Sequence, residues 1–122
     1  MAQDLAGLRA VVLKALDELK AVDVTVLDVS TLTSLTSLMV VATGTSNRHV
    51  RAIADAARDA AKAADYPVLG VEGEAGAEWV LVDLVDLVLH VMLPATRALY
   101  RLEDLWSARP GQAKAGQVGD GA

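Results

Sequence analysis

The hydrophobic and polar positions along the chain predict a domain that mixes helices and strands. Apolar residues recur at helical spacing from about Asp4 to Lys20, and again from about Asn47 to Ala64. The buried stripe of the second helix is predicted at Val50, Ile53, Ala57, Ala61 and Ala64. Short apolar and β-branched runs predict strands at Val24–Val29, Leu38–Thr43, Pro67–Glu72, Trp79–Asp83 and Val85–Met92. Pro94 opens a last predicted helix from Ala95 to Trp106.

The order helix, strand, strand, helix, three strands, helix predicts a mixed five-stranded sheet flanked by helices, in the α/β (α+β) class. The run from Val85 to Met92 is apolar on both faces, which is typical of a central strand. Asp86 and His90 fall on one face of that run, so they are candidates for a pair or for an opening in the helix cover. We expect one folded domain over residues 1–106 and a disordered, Gly-rich tail over residues 107–122.

Composition and hydropathy exclude several classes of protein. The chain has no cysteine, which rules out disulfide scaffolds, cysteine zinc sites and thiol catalysis. Its longest apolar run, Val80 to Pro94, contains two aspartates and a histidine and is too short to span a membrane. The N-terminus lacks the basic start and apolar block of a signal peptide, and no transit peptide is visible. These features predict a cytoplasmic, soluble protein.

Charge is distributed unevenly along the chain, whose formal net charge is −5. No lysine or arginine occurs between Ala63 and Thr96, whereas this segment holds six acidic residues. An acidic segment is a poor surface for a phosphate backbone, because lysine and arginine must replace the counterions there. We therefore expect no direct nucleic-acid binding. If the protein works near nucleic acid, it reaches it through another protein.

Two features could support an enzyme, and each has a simpler structural interpretation. Gly44-Thr45-Ser46 lies between a predicted strand and a helix, where free backbone N–H groups can bind an anion. It matches neither phosphate-loop pattern, and a capped strand-to-helix turn is the more common arrangement. Asp83 and Asp86 could hold a metal, but they share no obvious face, and Asp83 suits a bond to turn amides. We predict no metal and no cofactor.

The two histidines complete no catalytic set. His49 falls in the first turn of a helix between Arg48 and Arg51, and we expect it to be solvent-exposed. His90 is flanked by Leu89 and Val91, which is more typical of a satisfied core histidine than of a general base. The sequence thus offers no support for catalysis.

A binding function rests on the few aromatic residues. Trp79 opens a strand directly after an acidic stretch, which is typical of an interface anchor with a charged rim. Trp79 could equally cover the core beneath the turn, so both interpretations remain open. The second helix carries a modest basic face, but Asp55 and Asp59 interleave with it at helical spacing and favour a solvated, salt-bridged surface.

Three stretches resemble a known family. They are VVATGTSNRHVRAIAD (Val40–Asp55), GVEGE (Gly70–Glu74) and, most specifically, WVLVDLVDLVLHVMLPATRALYRLEDLW (Trp79–Trp106). The chain resembles the ribosomal silencing factors of the Iojap family over about Leu5 to Trp106. The resemblance implies a nucleotidyltransferase-like fold without the catalytic apparatus, and possible homodimers. It also implies binding to the fourteenth protein of the large ribosomal subunit, which blocks joining of the small subunit and represses translation when nutrients are limiting.

The same resemblance implies where the partner binds. Partner-binding positions carried over from the long motif are Trp79, Asp83, His90, Met92, Tyr100, Leu102, Glu103 and Trp106. The chain departs from the family pattern at Ser37, where an aspartate is usual, and at Val85, where glycine is common. The first change removes a carboxylate, and the second predicts a less permissive turn because valine avoids positive φ. Two alternatives remain: a nucleotidyltransferase-like, nucleotide-binding enzyme, and a dimeric scaffold whose apolar patch is a self-interface.

Overall fold

The computed structural model describes residues 4–101. Its elements are α1 (Leu5–Glu18), β1 (Val22–Asp28), β2 (Leu38–Thr43), α2 (Asn47–Ala63), β3 (Gly70–Glu72), β4 (Trp79–Asp83), β5 (Leu87–Met92) and α3 (Pro94–Tyr100). The predicted element order and the mixed five-stranded sheet are confirmed. Leu102, Glu103, Trp106 and the predicted tail over residues 107–122 lie outside the described residues.

Several predicted boundaries are wrong. β1 begins earlier than predicted, at Val22, and β3 is only three residues long. β5 begins at Leu87 because the residues before it form a tight turn. α3 was expected to reach Trp106, but it ends at Tyr100, where Arg101 adopts φ 48° and its N–H bonds to the Arg97 carbonyl. A left-handed residue ends a helix because the backbone leaves the helical path there.

The sheet has the strand order β1-β2-β5-β4-β3. β2 and β5 run parallel, whereas the other three neighbouring pairs are antiparallel. β5 is therefore central, as its apolar pattern predicts. Leu87, Leu89 and Val91 of β5 join the core under the helices, while Met92 joins a separate cluster on the other face. Leu84 was expected on the face of Met92, but it lies in the turn before β5 and joins the core under the helices.

Helices α1 and α2 cover one face of the sheet. Their buried residues follow the predicted stripes, except that Ala64 at the end of α2 is exposed. Small alanines along α2 let the helix axis lie close to the strands, and its amino end is capped by the Ser46 hydroxyl, which accepts from the His49 N–H. The core between these two helices and the sheet contains most of the buried apolar residues.

The opposite sheet face, which we call the second face, has its own apolar cluster of Val29, Met39, Val41 and Met92. Leu27 and Trp79 pack against this cluster while remaining partly accessible. Side chains alternate along a strand, so Trp79, Leu81 and Asp83 of β4 share the second face, with Val80 and Val82 under the helices. The candidate site lies on this face.

The turn between β4 and β5 contains a strained residue. Val85 adopts φ +73°, so the chain keeps a left-handed turn although it carries a β-branched side chain there. The Asp83 carboxylate accepts the Val85 N–H at 2.9 Å, which confirms the turn-capping interpretation of Asp83. The turn therefore needs a positive φ, which valine adopts only with strain and glycine adopts freely.

Candidate partner-binding site

Trp79 is the centre of an aromatic cluster with His90 and Tyr100. Its indole Nε1–H donates a hydrogen bond to Nδ1 of His90 at 2.9 Å. The Tyr100 ring lies with its centroid 4.8 Å from that of Trp79, tilted by 47°. Trp79 is half-buried and packs on Met92 beneath it, so it both covers the second-face cluster and presents ring surface outward. The interpretation that Trp79 covers the core is therefore confirmed, and its role as an interface anchor stays a prediction.

His90 supports the cluster from the central strand. It is only 6% exposed, and burial alone lowers its pKa to about 4. A neutral imidazole carries one N–H, and because Nδ1 accepts from Trp79, the proton resides on Nε2. The expectation of a satisfied core histidine is thus confirmed. The suggested pair with Asp86 is wrong: His90 bonds to Trp79 across strands, and Asp86 lies in the turn before β5.

The short helix α3 brings Tyr100 to Trp79. Arg97 of this helix donates hydrogen bonds to the Asp23 carbonyl, to Thr43 Oγ1 at 2.9 Å and to Thr25 Oγ1 at 3.0 Å. Asp23 adopts φ +51° within the irregular start of β1, in the segment where its pairing with β2 shifts register. Tyr100 itself is 55% exposed, so the cluster offers aromatic surface on α3 as well.

Acidic side chains lie on the same sheet face as the aromatic cluster. Strand register places Glu72 opposite Leu81 and Asp83 opposite Gly70, on the second face. A shallow groove of about 260 Å³ is lined by Glu72, Gly73, Trp79 and Leu81. Gly73 adopts φ +90°, and a Cβ there would overlap the Trp79 carbonyl oxygen, so glycine is required for this approach. The groove therefore combines carboxylate and ring surface.

The segment between β3 and β4, which carries Glu74 and Glu78, is held by hydrogen bonds from α2. Asn47 Nδ2 donates to the Gly76 carbonyl at 3.0 Å, and Arg51 Nε donates to the Glu74 carbonyl at 3.1 Å. The pKa of Glu74 is raised, mainly by a hydrogen bond with Asp55 and to a smaller extent by desolvation. The positioning roles of Asn47, Arg51 and Arg97 were missed in the sequence, because their contacts join positions 23 to 74 residues apart.

The remaining positions carried over from the family motif are placed as follows. Asp83 is half-buried at the end of β4, where its carboxylate bonds to the turn. Met92 is fully buried opposite Trp79 in the strand register, in the cluster against which the indole packs. Leu102, Glu103 and Trp106 are not described. Trp79 and Tyr100 are thus the members of the set that offer accessible aromatic surface within residues 4–101.

The turn Gly44-Thr45-Ser46 is a capped connection. The Thr45 N–H donates to His49 Nδ1 at 2.9 Å, and Nε2 of the same ring lies 2.7 Å from the Leu19 carbonyl, to which it donates. His49 is therefore half-buried and ties α2 to the end of α1, so the expectation that it is exposed is wrong. Helical spacing alone does not reveal that another helix ends beside the ring. The capping interpretation of this turn is confirmed.

The charged surface of α2 is salt-bridged, as its sequence predicts. Arg58 lies 3.5 Å from the Asp55 carboxylate and 3.0 Å from that of Asp59.

Over residues 4–101, no group of three or more histidine and acidic side chains is arranged to hold a metal ion. No helix in this part of the chain is long and apolar enough to cross a membrane.

Comparison with known proteins decides the family. A family model described as "Ribosomal silencing factor during starvation" (RsfS) matches residues 2–120. The chain belongs to the RsfS family. It is 47% identical over 97 residues to ribosomal silencing factor RsfS of Chromobacterium violaceum, covering 80% of each protein. It is also 34% identical over 93 residues to the chloroplastic protein Iojap of Zea mays, covering 76% of this chain and 40% of that protein.

A solved structure supports the RsfS fold. A crystal structure of a Chromobacterium violaceum protein superposes with a TM-score of 0.84 at 40% identity, covering 96% of this chain and 98% of that one. The resemblance to the Iojap family noted in the sequence is thereby confirmed. The family model and several of these relatives carry the name ribosomal silencing factor.

Proposed function

We propose that this protein silences the ribosome by binding the large subunit through its fourteenth protein and blocking the approach of the small subunit. Homologues named ribosomal silencing factor support the silencing role. The binding surface proposed here is the aromatic cluster together with the acidic side chains on the same sheet face. The small subunit is excluded sterically, so no bond is made or broken, and translation is repressed when nutrients are limiting.

The observation that carries this proposal is the accessible aromatic pair Trp79 and Tyr100 on the second face. Aromatic residues supply much of the energy of protein interfaces, because they bury a large area at a small cost in side-chain entropy. Buried His90 accepts the indole N–H of Trp79, and buried Met92 lies opposite Trp79 on the neighbouring strand, so both hold the indole in place. A surface that is rigid before binding loses less entropy when the partner docks.

Charge supports a basic partner. Glu72 and Asp83 lie on the same sheet face as Trp79, and no lysine or arginine occurs in the sequence between Ala63 and Thr96. Ribosomal proteins that contact RNA carry many cations, so opposite charges would speed encounter and orient docking. The effect of these carboxylates should therefore weaken as salt is raised.

Binding of variants to isolated large subunits tests the proposal. Tyr100→Ala removes exposed aromatic area from a short helix without opening the core, and we expect affinity to fall by about tenfold or more. Trp79→Ala should lower the affinity further. Its unfolding midpoint is measured alongside, because Trp79 also packs against the buried cluster. Leu35→Ala is the matched control, because Leu35 is 86% exposed in the β1–β2 loop, far from the cluster in the sheet. Co-sedimentation of Tyr100→Ala at the parent level would contradict the assignment.

A further inference from the structure

The indole of Trp79 has one hydrogen-bonding group, and His90 occupies it. The Nε1–H can only donate, and it donates to His90 Nδ1 at 2.9 Å. The two residues lie on neighbouring strands, two positions out of register, so the indole reaches diagonally across to the central strand. Their ring centroids are 5.9 Å apart, with planes tilted by 51°. This contact fixes the direction of the indole on the sheet.

His90 is itself out of reach of a partner. Only 6% of the residue is accessible, whereas Trp79 is half-buried and Tyr100 is 55% exposed. The imidazole is rigidly placed, because it lies on the central strand between β2 and β4. A buried polar ring in an otherwise apolar cluster costs stability unless it is hydrogen-bonded, and His90 makes that bond to Trp79. Leucine or methionine would fill the same space without that cost.

We propose that His90 is a positioning residue for partner binding, which acts by holding the Trp79 indole and withholding its N–H from the partner. This inference rests on the proposed function, since it concerns the same surface. The part of Trp79 left for the partner is hydrocarbon ring, and Glu72 lines the same groove. Such a surface suits an aliphatic or cationic side chain, and it offers no donor to a partner carbonyl.

Two variants of His90 separate positioning from packing. His90→Asn keeps an acceptor oxygen near the place of Nδ1, whereas His90→Leu keeps volume and removes the acceptor. We expect His90→Leu to weaken binding to isolated large subunits by about tenfold, in line with the loss of one buried hydrogen bond. His90→Asn should stay within about threefold of the parent protein. Equal losses for the two variants would overturn the inference.

A double-mutant cycle adds a readout that packing alone would not move. In a Trp79→Phe background there is no indole N–H to hold, so adding His90→Leu should change affinity by less than about twofold. The same tenfold loss in both backgrounds would show that His90 acts through the core and not through Trp79.

Nuclear magnetic resonance reports the hydrogen bond without any partner. The chain has two tryptophans, so a nitrogen–proton spectrum shows two indole signals, and Trp79→Phe identifies one of them. Exchange of the Trp79 indole proton with water should be slow in the parent and in His90→Asn, and at least tenfold faster in His90→Leu. Fast exchange in the parent would overturn the inference. If Trp79→Ala binds the subunit normally while exchange behaves as expected, the proposed function fails and the bond itself stands.

Discussion

Arg97 of α3 donates a hydrogen bond to Thr43 Oγ1 at the end of β2, at 2.9 Å and 54 positions away in the sequence. The same guanidinium bonds to Thr25 Oγ1 and to the Asp23 carbonyl of β1. One side chain therefore joins a seven-residue helix to two strands. The helix buries none of its own residues, so these bonds hold Tyr100 beside Trp79.

Replacing Arg97 should release α3. We expect Arg97→Ala to lower the free energy of unfolding by about 2 kcal/mol, because hydrogen bonds from a charged donor are lost together. Arg97→Lys should recover less than half of that lost stability, since an ammonium group cannot reproduce the planar, forked set of donors of the guanidinium. Chemical unfolding measures both, with exposed Arg9→Ala in α1 as the control. An Arg97→Ala protein as stable as the parent would show that α3 is held by other contacts.

Val85 offers a stabilising substitution. A β-branched residue at φ +73° is strained by about 1–2 kcal/mol, and glycine removes that strain at some cost in chain entropy. We therefore expect Val85→Gly to raise the free energy of unfolding by about 1 kcal/mol. Val24→Gly is the control, because Val24 has similar exposure in β1 without a positive φ, and it should destabilise. Loss of stability in both variants would contradict the argument from strain.

The turn before β4 gives a matched pair of glycines. Gly73 adopts φ +90° and a Cβ would overlap the Trp79 carbonyl, whereas a Cβ at Gly76 meets nothing within 4 Å. Gly73→Ala should destabilise the domain by about 2 kcal/mol or more, since strain and overlap add. Gly76→Ala should leave stability within about 0.5 kcal/mol of the parent. Thermal unfolding compares the two, and similar midpoints would contradict the predicted requirement for glycine.

Burial of His90 predicts a dependence of stability on pH. The unfolded chain binds a proton on this residue near pH 6.5, whereas the folded chain does so only near pH 4, where its pKa lies. Between these values the unfolded state holds more protons, so the free energy of unfolding falls as pH is lowered, by up to roughly 3 kcal/mol. His90→Asn, which does not titrate, should lose less stability over this range. Parallel curves for the two proteins would contradict the prediction.

Local patterns in the sequence predict much of this fold, and contacts between distant segments account for the rest. The central position of β5 follows from its two apolar faces, and the helix stripes follow from their period. The end of α3 and the burial of His49 depend on Arg101 and Leu19, whose roles no local pattern encodes. At the proposed site, the acidic flank of Trp79 predicts a surface residue, whereas its bond to His90 depends on strand register.

Sedimentation of separated ribosomal subunits tests the central claim most directly. Purified small and large subunits are mixed with and without the protein and resolved on a sucrose gradient. We expect the parent protein to travel with the large subunit and to lower the yield of whole ribosomes. Tyr100→Ala should do so only at about tenfold higher concentration. Undiminished joining of the two subunits in the presence of excess parent protein would contradict the account.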